Sequence, residues 1–207
     1  MTRILGVVLA GGKATRMGGG DKGLLPLGDA TLLDHVLERF APQCARLAIN
    51  ANGDAARFSR FRLPVIPDTL PDYPGPLAGV LAGLDWAADE GGDAIVTVAA
   101  DTPFLPRYLV ARLRDAAVAK AVPIALAASP DEAGAARRHP TFGLWPVALR
   151  DDLRAELSGG LRKIVLWADR YGVATVQFQT ERFDPFFNVN TPEDMTRAAA
   201  MLAGGDA

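Results

Sequence analysis

The sequence predicts an α/β fold, a three-layer sandwich built on a mostly parallel, Rossmann-like sheet. Two strongly apolar runs, residues 4–10 and 94–100, have the composition of strands that are buried on both faces. Between and after them, segments with apolar side chains at helical spacing alternate with shorter apolar segments. This alternation is typical of a sheet with helices packed on both of its faces.

The remaining elements follow in order along the chain. The last helix has the clearest start, because Thr191 is a suitable N-cap and Pro192 suits the first turn. Glu193 and Asp194 also favour that end of a helix, so we interpret them as capping residues rather than an acid/base pair. Further strands are expected over 46–50, 63–67, 123–128, 139–145 and 173–178, a loop over 129–138, and helices over 31–40, 77–88, 106–118, 147–157, 160–170 and 192–202.

Composition limits the class of protein. The 207 residues are 49% hydrophobic, which predicts one domain over residues 1–207. The net charge of −2 provides no overall basic field for nucleic acid. No apolar run reaches the roughly 18 residues of a membrane span, and the N-terminal run lacks the features of a signal peptide. With Cys44 as its one cysteine the chain suits a reducing compartment, and we expect a cytoplasmic protein.

A glycine-rich loop follows the first strand, with the sequence Leu-Ala-Gly-Gly-Lys-Ala-Thr-Arg-Met-Gly-Gly-Gly-Asp-Lys over residues 9–22. Its five glycines allow backbone N–H groups to approach a ligand closely, and its cations suit a polyphosphate. The spacing from Gly18 to Gly23 matches a P-loop, but Leu24 and Leu25 replace the required Lys and Ser/Thr. The loop therefore predicts a phosphate site of another kind, with a flexible linker as the alternative.

Polar residues end several of the other predicted strands. In open α/β sheets, ligands bind beyond the carboxyl ends of the strands, so we expect these residues to converge there. They are Asn50, Asp68, Asp101, Asn188 and Asn190.

Asp101 ends the very apolar run 94–100. A carboxylate in that position must be hydrated, paired or bound to a metal. Beside a polyphosphate loop, Mg²⁺ binding is the favoured interpretation, because Mg²⁺ commonly uses one or two carboxylates together with phosphate oxygens and water. A turn residue before Pro103 is the alternative.

Asn50 and Asp68 suit recognition of a nucleotide base. A guanine edge presents N1–H and a 2-amino group as donors, which a carboxylate or amide oxygen can accept, and a cytosine edge reverses part of this pattern. The pattern alone does not choose the base, and a turn role for either residue is the alternative.

Taken together, these segments resemble a known family. The stretch 9–25 is similar to the signature of the sugar-phosphate and cofactor nucleotidyltransferases, and more closely to the molybdenum cofactor guanylyltransferases. Further segments that agree are Asn50-Ala-Asn, Asp72-Tyr-Pro-Gly-Pro-Leu-Ala-Gly, Asp101-Thr-Pro, His139-Pro-Thr and Asn188-Val-Asn-Thr-Pro-Glu-Asp. They occur in order from one end of the chain to the other.

The resemblance implies transfer of GMP from GTP to molybdenum-loaded molybdopterin, with release of pyrophosphate. It implies a GTP site and a metal site whose carboxylate is Asp101, and it places Asn188 and Asn190 at the acceptor or phosphate side. Many related enzymes have a second carboxylate near position 188, where this chain has asparagine. The residues that would contact GTP are Leu9, Ala10, Gly11, Lys22, Asn50, Asp68 and Asp101.

The mechanism expected from this resemblance is one of positioning and charge neutralisation. We assign catalytic roles to Arg16 and Lys22, which would hold phosphates, and to Asp101, which would hold Mg²⁺ as the cofactor. For His139 the sequence leaves open whether it contacts the pterin or orders its loop. The expected partners are GTP, molybdenum-molybdopterin and, transiently, proteins that deliver or receive the cofactor, with no nucleic acid and no membrane.

Two alternatives follow from the same residues. A cytidylyltransferase or a sugar-1-phosphate nucleotidyltransferase would share the core, and a preference for another nucleoside triphosphate would identify it. A GTP-binding module without turnover is an alternative of another class. Because such a module has no need of a metal carboxylate beside the phosphates, the presence of both Lys22 and Asp101 argues against it.

Overall fold

The computed structural model of the chain describes residues 2–11, 20–70, 76–131, 133–161, 163–180 and 182–204. Its strands are β1 (Ile4–Leu9), β2 (Pro26–Leu27), β3 (Ala30–Thr31), β4 (Leu47–Asn50), β5 (Val65–Ile66), β6 (Ala94–Ala99), β7 (Ile124–Pro130), β8 (Ala136–Pro146) and β9 (Val173–Gln177). Its α-helices are α1 (Leu32–Phe40), α2 (Pro76–Asp89), α3 (Leu109–Lys120), α4 (Arg150–Ser158), α5 (Ile164–Tyr171) and α6 (Pro192–Ala203).

Seven of these strands form one sheet in the order β5-β4-β1-β6-β8-β7-β9. All are parallel except β8, which pairs antiparallel with both β6 and β7. Strands β2 and β3 form a separate antiparallel pair before α1. The predicted mostly parallel sheet is confirmed, with one reversed strand inside it.

Two apolar layers cover the faces of the sheet. In β1, Ile4 and Val8 pack with the apolar faces of α1 and α3, whereas Leu5 and Val7 pack with α2, α4 and α5. This alternation follows from the two-residue period of a strand, and apolar residues on both faces of β1 explain its continuous hydrophobic sequence. The three-layer architecture predicted from the sequence is therefore confirmed.

The predicted start of the last helix is also confirmed. Thr191 caps α6 by accepting a hydrogen bond from the N–H of Asp194 (3.1 Å), and the Asp194 carboxylate accepts one from the N–H of Thr191 (3.1 Å). This reciprocal capping box satisfies two backbone donors that a helix terminus leaves without partners. Asp194 is a capping residue, as its sequence position indicated.

The loop predicted over residues 129–138 is wrong in part. β7 continues to Pro130 and β8 begins at Ala136. Residues 128–130 of β7 pair with residues 136–138 of β8. Residues 136–138 of β8 pair with β7 alone, beyond the stretch where β8 also pairs with β6. Arg137 and Arg138 are polar and residues 136–138 are largely exposed, so hydrophobicity does not indicate a strand here.

Three smaller differences concern helices. α3 begins at Leu109 rather than at residue 106, and α5 begins at Ile164 rather than at residue 160. A 3-10 helix occupies Ala55–Phe61, where no helix was predicted. In the part of the chain that the structure describes, no helix combines the length and the apolar character needed to cross a membrane.

Candidate active site

The candidate site lies along one edge of the sheet, at the carboxyl ends of parallel strands. Leu9 at the end of β1 is in register with Asn50 of β4 on one side and with Ala99 of β6 on the other. Asn50 is in turn in register with Ile66 of β5. Since neighbouring strands lie about 4.8 Å apart, the segments that follow these four ends start close together.

The backbone that leaves β1 is fixed on both sides. The carbonyl of Leu9 accepts a hydrogen bond from the N–H of Ala100 (3.1 Å), and the N–H of Ala10 donates to the carbonyl of Asn50 (2.8 Å). A Cβ atom added to Gly11 would have no neighbour within 4 Å, so this residue faces open space. The chain therefore leaves the sheet in a defined direction and with room for a ligand.

Lys22 connects distant parts of the chain at this edge. Its ammonium group donates to Asp101 Oδ2 (2.9 Å) and to Asn190 Oδ1 (2.7 Å). The side chains of Lys22 and Asp101 are 16% and 20% exposed, so their charges interact in a partly desolvated setting. The structure thus brings three predicted site residues into contact. A fourth, Arg16, lies outside the described residues, as does the rest of the segment 12–19.

Gly23 allows Lys22 to lie close to the end of β6. It is buried in a short 3-10 helix, Lys22–Leu24. A Cβ atom at Gly23 would lie 3.0 Å from the Cβ of Ala100 and 3.5 Å from its carbonyl oxygen. A larger residue would push this turn away from the strand, and with it the lysine that precedes the glycine.

The segment carrying the two predicted asparagines is attached to the same strand end. The N–H of Val189 donates to the carbonyl of Asp101 (2.9 Å). The hydroxyl of Thr102, which is fully buried, donates to Asn188 Oδ1. Asn188 and Asn190 are therefore held on either side of a residue that is itself bonded to Asp101.

Asn50 and Asp68 meet at the other end of this edge. The buried amide of Asn50 donates to the carbonyl of Ile66 (3.1 Å) and to Asp68 Oδ1 (2.9 Å). Helix α2 passes very close, and a Cβ atom at Gly79 would lie only 2.2 Å from Asn50 Oδ1. The glycine thus provides the space in which the amide of Asn50 lies.

Asn52 is a member of the site that the sequence prediction included only within the segment Asn50-Ala-Asn of the family resemblance, with no role of its own. Its amide donates to Asp68 Oδ2 (2.7 Å), and its Oδ1 accepts from the N–H of Asp68 (2.8 Å). The position of Asn52 in the chain relates it to Asp68. Asn50 is in register with Ile66, and Asn52 and Asp68 each lie two residues further along.

A second polar network, involving His139, lies near the end of β7 and the start of β8. The hydroxyl of Ser129 lies 2.7 Å from His139 Nε2 and donates to Asp184 Oδ2 (3.2 Å), which also accepts from Arg137 (2.8 Å). Burial lowers the pKa of His139 from 6.5 to about 4, although the nearby Asp184 charge acts in the opposite direction. The imidazole is therefore neutral at pH 7. Its ring stacks on Phe186, with centroids 4.6 Å apart.

This network fixes the segment that leads to the two asparagines. Asp184 Oδ1 accepts a hydrogen bond from the N–H of Phe186 (2.9 Å), and Phe186 is buried. The geometry gives His139 a role in ordering its surroundings. Sequence reasoning missed Ser129 and Asp184, which are 55 positions apart and have no common motif.

The residues available to a metal ion are few. No group of three or more His, Cys, Asp or Glu side chains arranged for metal binding occurs among the described residues. Asp101 supplies hard carboxylate oxygens at a partly exposed strand end. This fits Mg²⁺, which often takes one or two protein carboxylates and completes its shell with phosphate oxygens and water, and it does not fit a cage made wholly of protein ligands.

Sequence comparison decides the family. The family model for the MobA-like NTP transferase domain matches residues 6–172, most of the chain. The chain belongs to this family. As a MobA-like NTP transferase it is a nucleotidyltransferase, and the alternative of a module without turnover loses its support.

Curated relatives cover nearly all of this transferase. The molybdenum cofactor guanylyltransferase of Bradyrhizobium sp. (strain ORS 278) is 50% identical over 208 residues, covering 99% of this chain and 96% of the relative. The protein of the same name from Mesorhizobium japonicum is 52% identical over 204 residues, covering 96% of each chain.

The fold of this MobA-like NTP transferase also matches solved structures. The molybdopterin-guanine dinucleotide biosynthesis protein A of Archaeoglobus fulgidus superposes with a TM-score of 0.74, covering 97% of this chain and all of the other, at 24% identity. At that identity the likeness concerns the fold, and it agrees with the sheet and helix layers described above.

Proposed function

We propose that this enzyme transfers GMP from GTP to molybdenum-loaded molybdopterin, forming the guanine dinucleotide cofactor and releasing pyrophosphate. The observation that carries the proposal is the arrangement at the sheet edge, where Lys22 and Asp101 form a charged pair and Asp68 presents a carboxylate held by two amides. The names of the relatives that share half of the sequence support the same reaction.

Guanine fits the Asp68 carboxylate better than the other bases do. An ionised carboxylate offers about four lone-pair positions, two on each oxygen. Amide donors take one position on each oxygen of Asp68, which leaves one acceptor on each. Guanine presents two adjacent donors, N1–H and the 2-amino group, whereas adenine and cytosine present one donor next to an acceptor, and uracil presents one donor between two acceptors. We infer that Asp68 and Asn50 bind the base, and that Leu9, Ala10 and Gly11 provide the backbone surface beside it.

The reaction can be balanced without a general base. A terminal phosphate oxygen of molybdopterin forms a bond to the α-phosphorus of GTP, and the bond from that phosphorus to the bridging oxygen breaks as pyrophosphate leaves. A phosphate monoester has a second pKa of about 6, so the attacking oxygen is already ionised at neutral pH. This agrees with a site in which the partly buried His139 belongs to an ordering network.

The protein would contribute position and charge. The ammonium of Lys22, which donates to Asp101 and Asn190, lies at this edge and would also donate to the phosphates of GTP. We also assign phosphate contacts to Arg16, and contacts at the acceptor or phosphate side to Asn188 and Asn190. Mg²⁺, held through Asp101, would neutralise charge on the polyphosphate.

The proposal also covers the partner proteins and the cellular compartment of the enzyme. The acceptor reaches the enzyme with molybdenum already in place, and the product is a cofactor for other enzymes. We therefore expect transient contacts with proteins that deliver and receive the cofactor, and action in the cytoplasm.

The test is acceptor-dependent pyrophosphate release with each of the four nucleoside triphosphates, Mg²⁺ and molybdenum-loaded molybdopterin. GTP should support turnover, and both Lys22→Ala and Asp101→Ala should lower kcat by roughly 100-fold or more while the variants stay folded. Lys120→Ala and Asp115→Ala are matched controls, because both side chains are exposed on α3. A preference for CTP or UTP, or full activity of Asp101→Ala at saturating Mg²⁺, would overturn the proposal.

A further inference from the structure

Asn52 has a contact geometry that the proposed reaction leaves unexplained. Its side chain makes a two-point contact with Asp68, in which the amide donates to Oδ2 (2.7 Å) and Oδ1 accepts from the backbone N–H (2.8 Å). The parallel pairing of β4 with β5 ends where Asn50 lies in register with Ile66. Asn52 and Asp68 each lie two residues further along, so the asparagine side chain extends the pairing beyond the last strand residue.

This contact controls the plane of the Asp68 carboxylate. The torsion that turns a carboxylate about its Cβ–Cγ bond is broad and weakly restricted by itself. One donor, from Asn50 to Oδ1, would leave the second oxygen able to swing. The donor from Asn52 fixes Oδ2 as well, and the backbone contact fixes the main chain from which the carboxylate projects.

A fixed plane matters for a ligand with two donors. To accept N1–H and the 2-amino group of guanine together, both oxygens must lie in the plane of the base, one opposite each donor. A base with one donor on that edge tolerates a rotated carboxylate.

We propose that Asn52 is a positioning residue that makes the site selective for guanine by fixing the Asp68 carboxylate in the orientation that receives both donors. This inference rests on the proposed function, because it takes Asp68 to bind the base. Asn52 touches Asp68 and need not touch the nucleotide. The backbone carbonyl of Asn52, which accepts from Arg57 (2.5 Å), is unaffected by a change of its side chain.

Comparing GTP with ITP isolates this role. The two nucleotides differ only in the 2-amino group, which hypoxanthine lacks, so the ratio of their dissociation constants reports the second hydrogen bond. In Asn52→Ala the carboxylate loses one of its two side-chain donors. We expect GTP to bind about tenfold more weakly and ITP at most about threefold more weakly, so that the preference for GTP over ITP falls severalfold.

A purely structural role of Asn52 predicts a different result. A loosened loop would weaken the binding of GTP and of ITP by the same factor and leave the ratio of their dissociation constants unchanged. Asn52→Asp is a second variant of the same size. It keeps an acceptor for the N–H of Asp68 but replaces the donor with a second negative charge, and it should lose the GTP preference in the same way. Gln177→Ala, at an exposed amide on β9, is the control that should leave both affinities unchanged.

The measurement is isothermal titration of the full chain with GTP, ITP, CTP and UTP in the presence of Mg²⁺, with thermal melting of every variant. If the unaltered protein prefers GTP and either Asn52 variant, still folded, keeps its GTP/ITP ratio, the role of Asn52 is refuted and the proposed function stands. If the unaltered protein binds CTP or UTP as tightly as GTP, the proposed function fails first.

Discussion

Replacing Gly79 by alanine perturbs the base side of the site at a single point. The added Cβ atom would lie 2.2 Å from Asn50 Oδ1 and 2.8 Å from Leu9 Cδ2. The first distance is about 1 Å shorter than the 3.4 Å at which ordinary contact begins. The amide of Asn50 cannot retreat freely, because its nitrogen is bonded to Ile66 O and Asp68 Oδ1.

The expected change in stability is small because two effects oppose each other. Moving the Asn50 amide weakens two hydrogen bonds, each of which contributes about 0.5–1.5 kcal/mol. Alanine in place of glycine within a helix stabilises by about 1 kcal/mol. We therefore expect the free energy of unfolding of Gly79→Ala to fall by about 0–2 kcal/mol, which leaves the protein folded.

Gly83→Ala is the matched control on the same helix. A Cβ atom at Gly83 would lie 2.9 Å from Ile95 Cδ1 and from Val7 Cγ2, in the core and away from the site. Overpacking costs about 1–3 kcal/mol, and the gain in helix propensity again offsets part of it. The two variants should therefore lose similar stability, and only Gly79→Ala should disturb the residues that hold Asp68.

GTP binding separates the two variants. We expect the dissociation constant for GTP to rise about tenfold in Gly79→Ala, which corresponds to about 1.4 kcal/mol, and to change less than about twofold in Gly83→Ala. Titration calorimetry gives the affinities, and urea unfolding gives the stabilities. Equal GTP affinities in two folded variants would show that Gly79 does not affect base binding through Asn50.

Two further predictions concern the other parts of the edge. Because the pKa of His139 is about 4 in the folded protein and 6.5 in the unfolded chain, the unfolded chain binds more protons between these values, and stability should fall as pH is lowered from 6.5 to 4. The loss should total roughly 1–3 kcal/mol, discounted because the side chain is only partly buried, and the same pH series on His139→Gln should lack this component. Asp194→Ala removes the capping box of α6 and a bond to the N–H of Asn190, so it should cost about 1–2 kcal/mol in urea unfolding and raise the KM for the acceptor. Glu193→Ala, in the same helical turn, is its control, and equal effects of the two changes would contradict the assigned role.

Much of the fold could be predicted because its central elements are locally consistent. β1 and β6 are continuously apolar since both of their faces are buried, and α6 has a full capping sequence around Thr191. β8 was less accessible to sequence reasoning. Its first residues are polar, and they form a strand because they pair with the end of β7, a contact that local sequence does not encode.

The candidate site likewise contains residues that the sequence predicts and residues that it does not. Strand ends could be located from the sequence, which predicts Asp101 and Asp68 as site residues, and Lys22 is predicted as a cation of the glycine-rich loop. The roles of Asn52 and Asp184 depend on partners 16 and 55 positions away, so the sequence assigned no role to either residue. Side-chain networks of this kind become visible only once the topology has brought their members together.

Label transfer from GTP to the pterin is a direct test of the proposed GMP transfer. The enzyme is incubated with Mg²⁺, molybdenum-loaded molybdopterin and GTP labelled either at the α-phosphate or at the γ-phosphate, and the products are separated. We expect the α-label to enter the pterin dinucleotide and the γ-label to leave as pyrophosphate, in equal amounts, and both products to be lost in Asp101→Ala. Release of labelled inorganic phosphate without the dinucleotide, or an unlabelled dinucleotide formed in a competing excess of CTP, would contradict it.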